Sequence, residues 1–159
     1  MARFLVDLML MRLGRWLRLL GQDVKNPAGP GEDEGLLSLA KSEGRTLITR
    51  DRRLAEACRH ADGKCILIRS SGIEEQLAEL AEEGVPLVLK PRRCTICNAP
   101  LQKIESGSQE MGTWCCPACK KLYWKGGHWQ KMEKMLQTVR SIHSRMNGID
   151  QNEKDQQSP

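Results

Sequence analysis

The sequence predicts an α/β fold, a parallel sheet flanked by helices, followed by a small zinc ribbon and a C-terminal basic helix. Three observations carry that expectation. Short apolar runs alternate with helical segments through the first half of the chain, two of those runs end in an aspartate, and two CxxC pairs stand 18 residues apart in the second half.

Phe4, Leu5 and Val6 form an apolar run of the kind a buried strand supplies, and Asp7 ends it with a charge that burial tolerates only when paired. From Met9 the period changes. Leu10, Leu13, Leu17 and Leu20 recur at helical steps, Arg12, Arg15 and Arg18 form a second stripe, and Gly21 supplies a stop. Read from this stretch alone, Asp7 is either a functional acid or a group that caps the helix or pairs with an arginine. Residues 22–24 enter a short strand, and the NPAGPG run at 26–31 is a loop. A helix with acids crowded into its first turn follows and stops at Gly44. Thr46 to Thr49 is β-prone and leads through Arg50 to Asp51, before a helix over Arg52 to His60. Lys64 to Arg69 is a further strand, and Ile73 to Glu83 a further helix.

Such alternation with short links implies a parallel sheet covered on both faces, whose functional groups gather at the carboxyl ends of the strands. Asp7 and Asp51 both occupy that position. Two acids at one sheet edge repel each other, so their joint presence makes sense with a divalent cation between them. Asp33, opening the second helix, is the third candidate ligand, with Glu32 and Glu34 as alternatives.

The net charge of +5 is unevenly distributed: residues 1–90 sum to zero, 91–147 to +7 and the tail from 148 to −2. A basic module beside a neutral one points to a polyanionic partner, nucleic acid first, against the alternative of a solvated basic face. No apolar run approaches the roughly 20 residues of a membrane span, and arginines interrupt the N-terminal apolar run where a signal peptide has none. The expectation is a soluble, cytoplasmic protein with no membrane partner. Seven cysteines, an odd number, with four in CxxC pairs, argue for reduced thiols and a metal site.

Val85 to Arg93 contains two prolines and ends in a basic pair, and the composition shifts after it. Cys94, Cys97, Cys116 and Cys119 have the spacing of a four-cysteine zinc site, which leaves no open coordination position and is therefore structural. Cys115 is a competing ligand that the CPAC spacing disfavours, and Cys58 and Cys65 read as small core residues. In the ribbon Trp114, Tyr123, Trp124 and Trp129 interleave with Lys120, Lys121, Lys125 and Lys131, the combination that holds single-stranded RNA. At least half of those rings are expected to form the module's own core. His128 is either a phosphate-orienting group or a packed or capping histidine. A basic helix over Trp129 to about Met146 carries an apolar stripe for the first module or for a partner, and the polar tail reads as disordered.

The segments FLVDLMLMRLGRWLRLLG, EGRTLITRDRRLAE, the CxxC pairs and LYWKGGHW, in this order, resemble the Mut-seven C-terminal RNase-like family over residues 3–131. The resemblance implies a PIN-like nuclease domain over 1–90, a zinc ribbon over 91–131, a basic helix over 132–147 and a disordered tail over 148–159. It implies a metal-dependent ribonuclease with a catalytic Mg²⁺ or Mn²⁺ and a structural zinc. The implied partner is RNA, with ribosomal and transfer RNA as candidates, and ribosome association is a further expectation. By position, Asp7 and Asp51 match the family's acids, Arg15 the arginine of its RLxRWLR helix, and the four cysteines its zinc ligands. Leu8 stands where the family often has a second acid, Met11 where a glycine is usual, and Ser70 and Ser71 where further acids are expected. These departures motivate the alternative, a non-catalytic RNA-binding factor that retains the fold.

Overall fold

The computed structural model describes residues 2–27, 29, 33–105 and 112–155, with backbone only from 149 onward. Four parallel strands, β1 (Arg3–Val6), β2 (Asp23–Lys25), β3 (Thr46–Thr49) and β4 (Cys65–Leu67), form one sheet in the order β2-β1-β3-β4. The register sets Leu5 beside Leu47 and Val6 beside Ile48. Side chains alternate across a strand, so Phe4, Val6 and Ile48 enter one core and Leu5 and Leu47 the other. The helices follow that division. α1 (Met11–Leu19) and α4 (Ile73–Glu82) cover the first face, while α2 (Asp33–Glu43) and α3 (Arg52–His60) cover the second. This is the α/β architecture that the sequence predicts.

A single 3-10 turn, Leu8–Leu10, joins β1 to α1. Gly14 lets the helix lie against the sheet, because a Cβ there would stand 2.8 Å from Val6 Cγ2. Gly21, at φ +80°, ends α1, with Gln22 N–H donating to Leu17 O and Gly21 N–H to Arg18 O.

The stretch from Val85 to Lys90 is extended across the first core, burying Val85, Leu87 and Leu89, and Lys90 N–H donates to Leu19 O. Three antiparallel strands follow, β5 (Gln102–Ile104), β6 (Thr113–Cys115) and β7 (Leu122–Trp124). The last helix, α5 (Gly127–Asp155), lays Met132, Leu136 and Val139 on the first core beside α4. Its apolar stripe therefore serves this chain's own first module. The helix starts before residue 132 and continues to Asp155, through much of the segment for which the sequence suggests disorder, because no proline interrupts the chain before 159. Residues 156–159 lie outside the described residues. Among the described residues no helix is long and apolar enough to cross a membrane.

Candidate nuclease edge, zinc centre and basic groove

The chain runs from β1 out to β2 and then back across β1 to β3. The strand order thus reverses between β1 and β3, and open α/β sheets bind ligands outside the carboxyl ends at such a point. Asp7 directly follows β1, and its N–H donates to Ile48 O at 3.1 Å. Asp51 follows β3 by one residue. Thr49, fully buried between them, donates its hydroxyl to Asp7 Oδ2 at 3.0 Å and accepts the Asp51 N–H at 3.0 Å. One buried hydroxyl therefore sets both acids relative to each other.

Their side chains differ in duty. Asp51 caps α3, with Oδ1 accepting the N–H groups of Arg53 at 2.9 Å and Leu54 at 3.3 Å. Asp7 makes no such cap bond, although it precedes a helical turn. Among the described residues Asp7 Oδ1 and Asp51 Oδ2 make no hydrogen bond. Hard oxygen donors of this kind suit Mg²⁺ or Mn²⁺, ions that bind through one or two carboxylates and keep waters or substrate phosphates as remaining ligands. Asp33 is exposed in the first turn of α2 and makes no hydrogen bond with either acid. Glu34 is exposed beside it, and Glu32 lies outside the described residues. Among the described residues the four cysteines are the one group of three or more His, Cys, Asp or Glu side chains close enough to hold a metal. The anticipated trio of acids is thus present as a linked pair with Asp33 apart.

The Sγ atoms of Cys94, Cys97, Cys116 and Cys119 all lie within 4.8 Å of one another, a fit for one tetrahedral ion. Cys115 is outside this group. Burial pushes the Cys94 thiol up, but hydrogen bonds from Tyr123 and from the Cys97 and Ile96 backbone outweigh it and bring it down to about 6. The Cys119 thiol is pushed up to about 12, chiefly by its hydrogen bond with Cys97. Burial also raises Cys58, and raises Cys65 to about 11, as inert core thiols require.

The first cysteine turn is bound to the sheet. Asn98, at φ +66°, accepts the Val24 N–H at 3.0 Å and donates to Asp23 Oδ1 at 2.7 Å. Arg18, 3% exposed, donates to Val24 O and to the carbonyls of Thr95 and Ile96. This cysteine turn thereby covers the outer edge of β2, whose N–H and C=O would otherwise stand unpaired.

Between α1 and the ribbon runs a groove of about 760 Å³. Its lining includes Arg12, Arg15, Trp16 and Leu19 from α1, Lys121, Tyr123 and Trp124 from the ribbon, and His128 and Trp129 from the start of α5. Of the sequence candidates, Lys121, Tyr123, Trp124, His128 and Arg15 meet here, while Lys120 and Lys125 do not line it. Lys120, exposed, is at the turn after Cys119, and Lys125 sits over the rings of Trp114 and Trp129 at 5.9 and 5.4 Å. The Tyr123 hydroxyl belongs to the zinc turn, accepting the Thr95 N–H at 3.0 Å and lying 3.2 Å from Cys94 Sγ. Trp124 is the exposed ring, at 57%. Sequence reasoning missed Thr49, a β-prone residue indistinguishable from any strand threonine, and Arg12, Trp16 and Arg93 as groove residues, because the groove forms only when ribbon and helix meet.

A parallel four-strand sheet flanked by helices, with two hydrogen-bond-linked acids at its switch point and a four-cysteine cluster able to hold a metal, defines an α/β protein with a metal-binding ribbon. The chain matches the Mut7-C RNAse domain over residues 2–136 and belongs to that family. No curated protein and no solved structure matches it.

Proposed function

We propose that the chain is a metal-dependent ribonuclease that hydrolyses RNA phosphodiester bonds, with Asp7 and Asp51 at its centre and the zinc ribbon binding the RNA. The observation that carries this reading is the coupling of the two acids through the buried Thr49 hydroxyl at the switch point, in a member of an RNase domain family. Asp7 and Asp51 would hold Mg²⁺ or Mn²⁺ through the oxygens free of internal hydrogen bonds, with Asp33, which stands apart from the pair, as a further candidate acid. Such an ion, when bound, supplies charge stabilisation at the phosphoryl group and lowers the pKa of water. Thr49 keeps Asp7 aimed at the edge, the cap bonds to the α3 N-terminus keep Asp51 fixed, and Arg15 and Arg50, both exposed, offset phosphate charge. The zinc in this reading folds the ribbon and takes no part in cleavage. Incubation of purified protein with single-stranded and structured RNAs and Mn²⁺, beside Asp7→Asn and Asp51→Asn, tests it. Cleavage by the wild type that both variants lose is the expected result, and equal cleavage by all three overturns the assignment.

A second reading has one specific observation behind it. Leu8, next to Asp7, is 40% exposed at the edge where the family often has an acid. It favours a non-catalytic RNA-binding or ribosome-associated factor, for which ribosomal or transfer RNA would be the partner. Salt-dependent RNA binding that falls on charge reversal of Lys120, Lys121 and Lys125, with Asp7→Asn without effect and no cleavage by the wild type, would select it.

A further inference from the structure

The groove between α1 and the ribbon is built from both modules, and its chemistry is more specific than a general basic surface. Arg12, Arg15, Trp16 and Leu19 are spaced three, one and three residues apart, which keeps them on one side of the helix along a rise of about 10 Å. Arg12 and Arg15 are exposed, and among the described residues they take part in no ion pair, while the pairs that do form join Lys25, Arg45 and Arg93 to Asp23 or Glu43. Among the described residues no carboxylate lines the groove. Two unneutralised guanidinium groups from the helix thus share the groove with an exposed indole and a lysine from the ribbon. Lys121 itself lies over the Tyr123 ring at 5.1 Å.

Unpaired cations and stacking rings lining one groove suit a chain that offers both charges and flat apolar groups along its length. Single-stranded RNA has that form, whereas a duplex turns its bases inward. The position adds a direction. α1 begins four residues after Asp7, so the Arg12 end of the groove is the end nearer the carboxyl edge of the sheet.

We infer that this groove holds single-stranded RNA, with phosphates on Arg12 and Arg15 and a base stacked on Trp124, and guides the strand past Arg12 toward Asp7 and Asp51. The inference deepens the ribonuclease reading and rests on it for the identity of the ligand as RNA, but not on cleavage. The two modules form the binding site jointly, so the ribbon's lysines are only half of it.

The test is fluorescence anisotropy of a labelled single-stranded RNA oligonucleotide, and of the same RNA as a duplex, on the full zinc-loaded chain carrying Asp51→Asn, with no Mg²⁺ or Mn²⁺ added. The double variant Arg12→Gln with Arg15→Gln should weaken single-strand binding at least about tenfold and lower the salt slope by about 1.4. Trp124→Ala should weaken it at least about fivefold. The pair Lys41→Gln with Arg59→Gln, which removes equal charge from exposed helix positions elsewhere, should leave it unchanged, and circular dichroism checks that each variant is folded. Unchanged binding in the arginine pair, or a duplex bound as tightly as the single strand, overturns the inference. A polyglutamate peptide that binds as tightly as the RNA does so too and reassigns the groove to an acidic protein segment. Failure of the chain to cleave leaves this result standing, and unchanged RNA binding by the groove variants of a chain that does cleave overturns this inference alone.

Discussion

At Asp51 one carboxylate oxygen accepts the N–H groups of Arg53 and Leu54 while the other is unengaged, so capping and proposed ligation are separable. Asparagine caps a helix as well as aspartate does, and alanine in its place costs about 1 kcal/mol. Asp51→Asn is therefore expected to keep the thermal midpoint while losing cleavage, and Asp51→Ala to lose both. Asp23 makes a different prediction. Burial raises its carboxyl, but hydrogen bonds from Arg45 and Asn98 and the Arg45 and Arg93 charges hold it below the usual carboxylate range. A depressed acid contributes stability above its unfolded value, near 4, and loses it as pH falls through the folded value. Acid titration of stability should therefore show a loss beginning below about pH 4 that Asp23→Asn removes. Asp7 and Asp51 were legible in the sequence because a charge at the end of an apolar run is conspicuous. Asp23 and Asn98 were not, since their partners lie about 75 residues away along the chain.

Within α1, the arginine stripe at 12, 15 and 18 reads from the sequence as one face, yet the structure divides it. Steps of three residues fall about 60° short of a full turn, so six residues carry the stripe about 120° around the helix. Arg12 and Arg15 remain in the groove, and Arg18 turns under the ribbon to bond Thr95 and Ile96. Gly14 permits the approach that makes this possible. Gly14→Ala, with its Cβ 2.8 Å from Val6 and 3.2 Å from Asn26 Oδ1, should destabilise the protein by about 1–3 kcal/mol in urea unfolding, although alanine favours an isolated helix. The strands and helices of the first module were legible to within a residue or two because their periods differ. The length of α5 was less so, because its polar end lacks the apolar pattern that marks a helix. Of the four ribbon aromatics, Trp114, Tyr123 and Trp129 are half-buried and Trp124 exposed, which fits the expectation that the module needs rings for its own core.

Across the whole molecule, the ribbon is held to the sheet by Arg18, Asp23 and Asn98 and by the buried Val85–Leu89 stretch, so loss of zinc should be felt beyond the cysteines. Chelation of zinc is expected to weaken hydrogen-exchange protection at the Val24 amide as well as in the ribbon. Zinc affinity should fall on acidification, because the ligands are thiolates and protons compete with the metal for them. A zinc titration with a colorimetric competitor at several pH values checks the sign.

The central claim is that Asp7 and Asp51 together hold a divalent ion at the switch point between β1 and β3. The most direct measurement is electron paramagnetic resonance of Mn²⁺ titrated into the zinc-loaded protein, the Asp7→Asn variant and the Asp51→Asn variant, with zinc content assayed in each. A saturable Mn²⁺ site in the wild type, lost in both variants while zinc is retained, is the predicted result. Mn²⁺ bound equally by all three proteins, or by none of them, would contradict the account.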